Sequence, residues 1–333
     1  MTTSDHNTPA LLVYVHEDRL GDALLKLPAV STLREAFPGF HITWLAGSGP
    51  SMFRSGLAPL VASLIDQVED RTGLGCRWNE LLHRPLVDRY YDVIIDTQTV
   101  LRSTLVVRRV AHGLFISPAA RFLFSDKRPG PEGFGGSMRD RLLQLIRLAS
   151  GRAVRAHRQL QLPQEYRRLA ADLLPQGRDY IGLAPGAGGR DKCWPLERFI
   201  QLGRDQQAKG RLPVYFPGPD EMEWLPIIRE QVPGALIPEA EAGARPLAGP
   251  LLCMALAERL SLGVANDSGT GHIFAISGAP LVSLFGRTSV EKFVDSEDNR
   301  IVLAATAYGG RKVEDIPLAA VIEAVDKQFG ASA

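Results

Sequence analysis

Three residue types that can do acid–base chemistry stand within six positions of one another. They are Asp267, Ser268 and His272, in the stretch VANDSGTGHIF (264–274). One interpretation is a Ser-His-Asp hydrolase. A nucleophile elbow needs GxSxG with the serine at its centre, whereas the residue two before Ser268 is Asn266. Triad residues also converge from separate segments of a chain. The stretch therefore favours a site of another kind.

The same stretch is typical of a strand-to-helix turn that binds phosphate. SLGVA is an apolar run that predicts a buried strand, and TGHIFAIS has helical periodicity. The amides around Ser268, Gly269 and Thr270 would then point at a ligand from the positive end of a helix. Asp267 or Ser268 can cap this helix, and His272 lies near the same face as Ser268 and could donate to a phosphate oxygen. The alternative is a cap with a packed histidine and no ligand.

A second glycine-rich turn, APGAGGRDKCWP (184–195), also follows an apolar run. Gly186, Gly188 and Gly189 permit close backbone approach, and Lys192 offers a mobile positive charge. The stretch is neither a Walker P-loop, since no GKS or GKT follows, nor a dinucleotide fingerprint, since GxGxxG is absent. It predicts an anion cradle, with a plain loop as the alternative.

A third turn, FPGPDEMEW (216–224), carries acids that could accept hydrogen bonds from ribose hydroxyls. Asp220 and Glu221 are the candidates, although acidic residues are ordinary in the first turn of a helix. Three such turns in the second half of the chain fit one nucleotide, with contacts to the ribose, the phosphates and the leaving group.

In the first half, RLGDALLKLP (19–28) places Gly21 and Asp22 directly after the first predicted strand. A carboxylate at this junction could serve as a general base. A helix-capping role for Asp22 is the alternative.

Strands and helices alternate along the chain at spacings that indicate βαβ units and parallel sheets. The predicted strands of the first half span 11–16, 41–46, 63–68 and 92–96, and a second run begins near Tyr180. Pro28 predicts a short turn followed by a fresh helix, because proline in a helix interior removes a hydrogen bond. We place the linker around 160–178. The expected architecture is two α/β domains, 1–165 and 175–333, whose sheets face a central cleft.

The segment 118–140 is rich in glycine and proline and is predicted to be a long loop. Between Arg102 and Arg168 the basic residues outnumber the acidic ones. Either this is a solvated face, or it attracts an anionic substrate or a membrane surface.

Composition bounds the class of protein. The 333 residues carry a net charge of +1 and are 45% hydrophobic, which suits two domains and gives no case for nucleic acid. Cys76, Cys193 and Cys253 lie far apart, so we expect buried small side chains and no zinc site or disulfide. The polar start of the chain and the lack of a long apolar stretch lead us to expect a soluble, cytoplasmic protein.

Four stretches taken in order resemble the motifs of glycosyltransferase family 9, the ADP-heptose:lipopolysaccharide heptosyltransferases and their relatives. They are GDALLKLPAVSTLREAFP, YDVIIDTQTVLRS, APGAGGRDKCWPLERF and VANDSGTGHIFAISGAPLVSLFG, and together they cover nearly the whole chain. The resemblance implies a GT-B fold, an α/β architecture of two Rossmann-like domains. The acceptor would bind the first domain and the nucleotide-sugar the second. The last helix would cross back to the first domain.

The resemblance also assigns roles to residues. It places the proposed base on Asp22, the phosphate-binding lysine on Lys192 and the ribose-binding acid on Glu221. The remaining assignments are the D(S/T)GxxH motif on Asp267, Ser268, Gly269 and His272, and acceptor-side residues Gln98, Arg102 and Ser103. Two departures leave donor and acceptor identity open: HEDRL before Gly21, and FGRT, with Arg287, where relatives read FGPT.

The function implied is inverting transfer of a heptose from ADP-heptose to a glycolipid acceptor such as the lipid A–Kdo core, with no cofactor. The transferase would sit in the cytoplasm or at the cytoplasmic face of the inner membrane. No Asp-x-Asp occurs in the chain, so we expect no metal on the diphosphate. The alternatives are another nucleotide-sugar, a protein acceptor, or a non-catalytic nucleotide-sugar-binding protein. The missing GxGxxG disfavours a nicotinamide dehydrogenase.

Overall fold

The computed structural model describes residues 8–156, 161–242, 247–286 and 299–331 of the chain. The chain divides into two compact units, Met1–Gln159 and Leu160–Ala333. Each unit contains one five-stranded sheet whose neighbouring strands all pair in parallel. The prediction of an α/β protein with two parallel sheets is therefore confirmed.

The sheet of the first unit has the strand order β3-β2-β1-β4-β5, so the first strand is central. Its strands are β1 (Ala10–Val15), β2 (His41–Ala46), β3 (Gln67–Glu69), β4 (Tyr90–Asp96) and β5 (Ala111–Ile116). Its helices are α1 (Leu20–Val30), α2 (Leu33–Ala36), α3 (Ala58–Val61), α4 (Leu101–Val107) and α5 (Met138–Ser150). The side chains of β1 from Leu11 onward are completely buried, as expected of a central parallel strand covered on both faces.

The sheet of the second unit has the order β10-β9-β8-β6-β7. Its strands are β6 (Tyr180–Ala184), β7 (Leu212–Tyr215), β8 (Leu262–Asn266), β9 (Leu281–Phe285) and β10 (Arg300–Ala304). Its helices are α6 (Gln164–Leu173), α7 (Leu196–Ala208), α8 (Leu225–Gln231), α9 (Pro238–Ala242), α10 (Pro250–Ala257), α11 (Gly269–Ile276) and α12 (Leu318–Ala331). Val321 and Val325 of α12 are buried in the core of this unit. The expected crossing of the last helix to the first domain stays a prediction.

The predicted fresh start at Pro28 is wrong, because α1 runs without interruption from Leu20 to Val30 with Pro28 inside it. Pro28 lies in the last turn, where its missing N–H removes one backbone hydrogen bond without ending the helix. The hydroxyls of Ser31 and Thr32 donate to the carbonyls of Pro28 and Ala29 at 2.7 Å and close that turn.

Several boundaries differ from the sequence prediction. The third strand begins at Gln67 rather than at residue 63, and the edge strands β5 and β10 were not predicted. Helix α6 lies inside the expected linker, 160–178, and packs against α10, so most of that stretch belongs to the second unit. The three cysteines are free, but only Cys253 is buried, since Cys76 and Cys193 are half-buried.

The predicted loop 118–140 ends where α5 begins, at a capping box formed by Ser137 and Asp140. Ala120, Arg121 and Phe122 are left-handed, with φ of 47°, 55° and 64°. This backbone costs roughly 1–2 kcal/mol per residue for side chains other than glycine. Phe122 is buried and packs edge-on against Phe134 at 5.0 Å between ring centroids, which holds the turn in place.

Among the helices of the described part of the chain, none combines the length and apolarity that crossing a membrane requires. Arg287, in the FGRT departure, lies outside the described residues.

Candidate active site

The predicted donor residues follow three strands that are neighbours in the second sheet. Strand β6 lies between β8 and β7, and the turns after these strands carry the glycine-rich stretch, Glu221 and the Asp267–His272 stretch. Because the carboxyl ends of parallel strands share one edge, the fold gathers these turns at a single edge of the sheet. We call it the donor edge.

Asn266, which the sequence analysis did not assign to the site, fastens two of these turns together. Its side chain is buried at the end of β8. Its Oδ1 accepts from the backbone N–H of Trp194 at 3.0 Å, and its Nδ2 donates to the carbonyl of Pro185 at 2.8 Å. A weaker contact to the Gly186 carbonyl measures 3.4 Å. Both ends of the glycine-rich stretch are therefore hydrogen-bonded to the side-chain amide of Asn266.

Glu221 lies between two glycines of neighbouring turns. A Cβ added at Gly186 would stand 2.4 Å from its carboxylate, and one at Gly218 would stand 2.5 Å away. These positions leave room for the carboxylate only because they lack a side chain. Burial raises the pKa of Glu221, although the charge of Arg190 opposes the shift. The structure thus joins Gly186 and Glu221 in one small site.

Ser268 is the N-cap of helix α11, whereas the sequence allowed either Asp267 or Ser268 in this role. Its Oγ accepts from the N–H of Gly271 at 3.2 Å. At a helix N-terminus the first amides have no carbonyl in the helix to bond, which here concerns Gly269 and Thr270. Both residues are only partly buried, so the start of the helix reaches the surface of the unit.

His272 is buried one turn into α11, with its Nε2 3.9 Å from Oδ1 of Asp267. Desolvation lowers its pKa to about 4; Asp267 acts in the opposite direction, and Arg300 adds to the lowering. The imidazole is therefore neutral at pH 7. It can donate one hydrogen bond to a phosphate, but it brings no positive charge.

Lys192 ends a short 3-10 helix, Arg190–Lys192, and its side chain is exposed. Arg190, another residue absent from the prediction, fixes this helix to the turn after β7. Its guanidinium donates to the Asp220 carbonyl and pairs with Glu223, both at 2.8 Å, and it stacks 4.2 Å above the Trp224 ring. The lysine is thus carried on an anchored loop.

In the first unit, Asp22 occupies the first turn of α1, after the central strand β1, with Gly21 beside it. Both residues are half-buried. Burial raises the pKa of the Asp22 carboxyl; Lys26 opposes this shift, while Asp18 and Glu17 add to it. A carboxyl that binds protons more tightly than usual is a stronger general base.

The acidic departure HEDRL has a structural explanation in Asp18, which is fully buried. Its carboxylate pairs with Lys26, accepts from Nε1 of Trp44 at 2.7 Å and accepts from Oγ of Ser51 at 3.2 Å. A buried charge is tolerated when it is paired and hydrogen-bonded in this way. Asp18 therefore anchors the start of α1, the helix that carries Asp22.

The acceptor-side residues follow β4, the neighbour of β1. At the end of β4 the buried Asp96 accepts from the N–H of Gln98 at 2.9 Å and from the Thr104 and Ser117 hydroxyls at 2.6 and 2.8 Å. Burial raises the pKa of Asp96 to about 6, and its three hydrogen bonds oppose the shift. Asp96 was not assigned to the site, yet it shapes the turn that presents Gln98.

Two other acceptor-side predictions fare differently. Arg102 is half-buried, and its Nε donates to the Gly75 carbonyl at 3.3 Å. Ser103 is 2% exposed and its hydroxyl donates to the Val100 carbonyl at 2.9 Å. Ser103 is therefore buried in the packing of α4, and its acceptor-side role stays a prediction.

Comparisons with known proteins agree with the resemblance of the motifs. The model of glycosyltransferase family 9 (heptosyltransferase) matches residues 81–315. Lipopolysaccharide heptosyltransferase 3 of Escherichia coli is 26% identical, over 94% of this chain and 97% of the relative.

Among solved structures, the family 9 glycosyltransferase of Veillonella parvula DSM 2008 has a TM-score of 0.70 at 20% identity, covering 98% and 99% of the two chains. The E. coli heptosyltransferase WaaC with ADP has a TM-score of 0.67 at 19% identity, covering 96% and 98%. The likeness confirms the GT-B type of fold.

Proposed function

Since the chain belongs to glycosyltransferase family 9 and is a glycosyltransferase, we propose that it moves a heptose from ADP-heptose to a lipopolysaccharide core acceptor. The observation that carries the proposal is the donor edge, where three turns meet and Asn266 bonds to both ends of the glycine-rich stretch. The name of the relative in E. coli and the ADP in the WaaC structure support this donor and acceptor.

Each part of the donor edge suits a different part of ADP-heptose. The amides of Gly269 and Thr270 and the charge of Lys192 would hold the diphosphate, and neutral His272 would donate one further hydrogen bond. Glu221 would accept from the ribose hydroxyls, since a carboxylate offers only acceptors. Gly188 lets the ligand approach the backbone, since a Cβ there would meet nothing within 4 Å, and Gly186 leaves the room that the Glu221 carboxylate needs.

We propose an inverting displacement with Asp22 as the base. The Asp22 carboxylate takes the proton of an acceptor hydroxyl while that oxygen forms its bond to the anomeric carbon. The bond from this carbon to the diphosphate breaks in the same step, through an oxocarbenium-like transition state, and ADP leaves with the electron pair. The raised pKa of Asp22 supports this role.

Metal independence is part of the proposal. Negative charge gathers on the departing diphosphate, and fixed dipoles with a nearby cation stabilise such charge without reorganisation. The helix amides at Gly269 and Thr270 and the ammonium of Lys192 are groups of this kind. The chain also contains no Asp-x-Asp sequence that would hold a divalent ion on the diphosphate.

On the acceptor side, Gln98 and Arg102 lie after β4, beside the strand that precedes Asp22, and they would orient a glycolipid head group. A glycolipid acceptor would place the reaction at the cytoplasmic face of the inner membrane.

The test is a product assay with ADP-heptose and a series of truncated lipopolysaccharide acceptors, read by mass. We expect one acceptor to gain the mass of one heptose in a reaction that continues in excess chelator. Thermal-shift ranking of ADP, UDP and GDP, free and as sugar conjugates, tests the donor separately, because a ligand of the folded state raises the melting temperature. Binding of ADP-heptose without transfer to any acceptor would favour the non-catalytic alternative. A larger increase in melting temperature with another nucleotide would show that the donor carries that nucleotide instead of ADP.

A further inference from the structure

Large apolar side chains are exposed mainly in the first unit. Among the described residues, seven of the ten such side chains belong to it, and four of them lie on or next to two elements. Trp78 and Leu82, 56% and 77% exposed, lie on the 3-10 helix Trp78–Leu82, while Val100 and Leu101 lie at the start of α4. Clustered exposed apolar groups mark an interaction surface more often than single ones do.

These two elements lie side by side and run in the same direction. Arg102, at the start of α4, donates from Nε to the Gly75 carbonyl before the 3-10 helix, at 3.3 Å. Arg109, after the end of α4, donates to the His83 carbonyl after the 3-10 helix, at 3.4 Å. On α4, Leu105 lies one turn beyond Leu101 and is half-buried.

The charges on this surface are mainly positive. Arg77, Arg84 and Arg109 are exposed. Glu80 points inward, because its carboxylate accepts from the N–H of Gly75 at 2.8 Å and from that of Arg77 at 2.5 Å. The exposed acid of the following loop is Asp88.

We propose that this surface docks on an anionic lipid bilayer. We define it as the arginine–apolar face, formed by Trp78, Leu82, Leu101, Leu105, Arg84 and Arg109. Tryptophan prefers the interface between water and lipid, and arginines are drawn to anionic head groups. A protein that combines apolar anchors with basic residues lies on a membrane without spanning it.

The position of the arginine–apolar face relates the docking to catalysis, and this relation rests on the proposed function. Helix α4 starts at the carboxyl end of β4, and β4 is the neighbour of β1, whose carboxyl end leads to Asp22. A bilayer held against the arginine–apolar face would therefore present a glycolipid head group near the edge of the sheet that carries Asp22.

The test is co-sedimentation of the full chain with vesicles that contain no glycolipid. We expect binding to vesicles of phosphatidylethanolamine and phosphatidylglycerol, weaker binding to phosphatidylcholine, and a decline as salt screens the arginines. Trp78→Ser/Leu82→Ser should weaken binding at least tenfold, and Arg84→Glu/Arg109→Glu should do the same on anionic vesicles. Ile227→Ser/Tyr308→Ser removes exposed apolar side chains of the second unit and should leave binding within twofold of the unmodified chain.

Equal binding by all variants would overturn the proposal, as would binding that requires glycolipid in the vesicle. Circular dichroism and melting temperature identify a variant that is misfolded, and the two double variants serve as independent checks of each other. Transfer to a soluble, deacylated acceptor separates this inference from the proposed function. Variants of the face should retain that transfer, whereas vesicle binding by a chain that transfers nothing would leave the docking intact and refute the function.

Discussion

The donor edge of the second unit and the proposed acceptor side of the first unit, at the ends of β1 and β4, are built differently. At the donor edge, the neutral amide of Asn266 and the neutral hydroxyl of Ser268 hold backbone atoms at set positions, and the charged Arg190 adds a bond to the Asp220 carbonyl. On the proposed acceptor side, charged groups hold the structure in place. Buried Asp18 pairs with Lys26 of α1, and Asp96 accepts three hydrogen bonds at the end of β4.

This difference follows from the chemistry proposed for each side. A site for an anion benefits from backbone N–H groups that are held rigidly, and a neutral side chain can hold them without adding negative charge. A base instead needs a pKa raised towards neutrality, and neighbouring acids together with burial provide that for Asp22. Loss of a side chain at the donor edge should therefore weaken nucleotide binding. Loss of the base on the proposed acceptor side should instead slow catalysis.

The largest effect is expected from Asp22→Asn. Loss of the base should reduce kcat about 10²- to 10⁴-fold, while the dissociation constant of ADP should stay within about twofold, since ADP is proposed to bind the other unit. Steady-state kinetics and calorimetry with ADP measure the two quantities. Glu17→Gln removes a neighbouring acid that is not proposed to react, so its kcat should change only slightly. A fully active Asp22→Asn enzyme would remove Asp22 from the mechanism.

Asn266→Ala comes next and should act on binding. It leaves the N–H of Trp194 and the carbonyl of Pro185 buried without their partner, and each such loss costs about 1–3 kcal/mol. We expect ADP to bind about 10- to 100-fold more weakly. Gln206→Ala removes another buried polar side chain of the same unit, one whose amide contacts Asp326 on α12. This control should lower the melting temperature without changing ADP affinity, and an equal loss of affinity in both variants would reduce Asn266 to a general stabilising role.

The pH dependence of kcat/KM should report the protonation of Asp22. Its pKa is raised, and only the deprotonated form is a base, so kcat/KM should fall about tenfold per pH unit below that pKa. Glu17→Gln removes a negative charge that raises this pKa, and the acid limb should therefore move to lower pH. Initial rates from pH 4 to pH 8 measure the shift. A limb that stays in place, or moves to higher pH, would show that another group controls it.

The smallest effect concerns the cap of α11. Ser268→Ala should lower the free energy of unfolding by about 1 kcal/mol, whereas Ser268→Gly should cost a few tenths, because glycine is tolerated at this position. Urea unfolding of both variants measures the difference. If Ser268→Ala is as stable as the parent chain but binds ADP poorly, the hydroxyl contacts the ligand rather than the helix.

The donor edge was largely predictable because its signals are local. Each turn is a short apolar run followed by glycine, serine or acid, and such strand-to-helix junctions are encoded within about ten residues. The partners of Asn266 are 72 and 81 positions away in the chain. No periodicity or spacing around residue 266 indicates them, which is why its role emerged only from the structure.

The errors have similar physical causes. The burial of Ser103 was not predicted, because it depends on the distant segment at Gly75 that packs over α4. The sequence between α4 and β5 has no glycine or proline to mark the end of the helix. Its helical pattern continues into β5, which was therefore not predicted as a strand. Pro28 misled because a helix can continue through a proline, and the hydroxyls that bond the carbonyls of its last turn come from Ser31 and Thr32 outside the helix.

The left-handed turn at Ala120, Arg121 and Phe122 has a consequence for how the chain tolerates mutation. Glycine adopts this backbone freely, asparagine and aspartate do so at low cost, and β-branched residues are nearly excluded. A library randomised at 120 and 121 and selected for folding should therefore become enriched in glycine, asparagine and aspartate. Position 122 should keep an aromatic residue, because there the ring that packs on Phe134 outweighs the backbone preference.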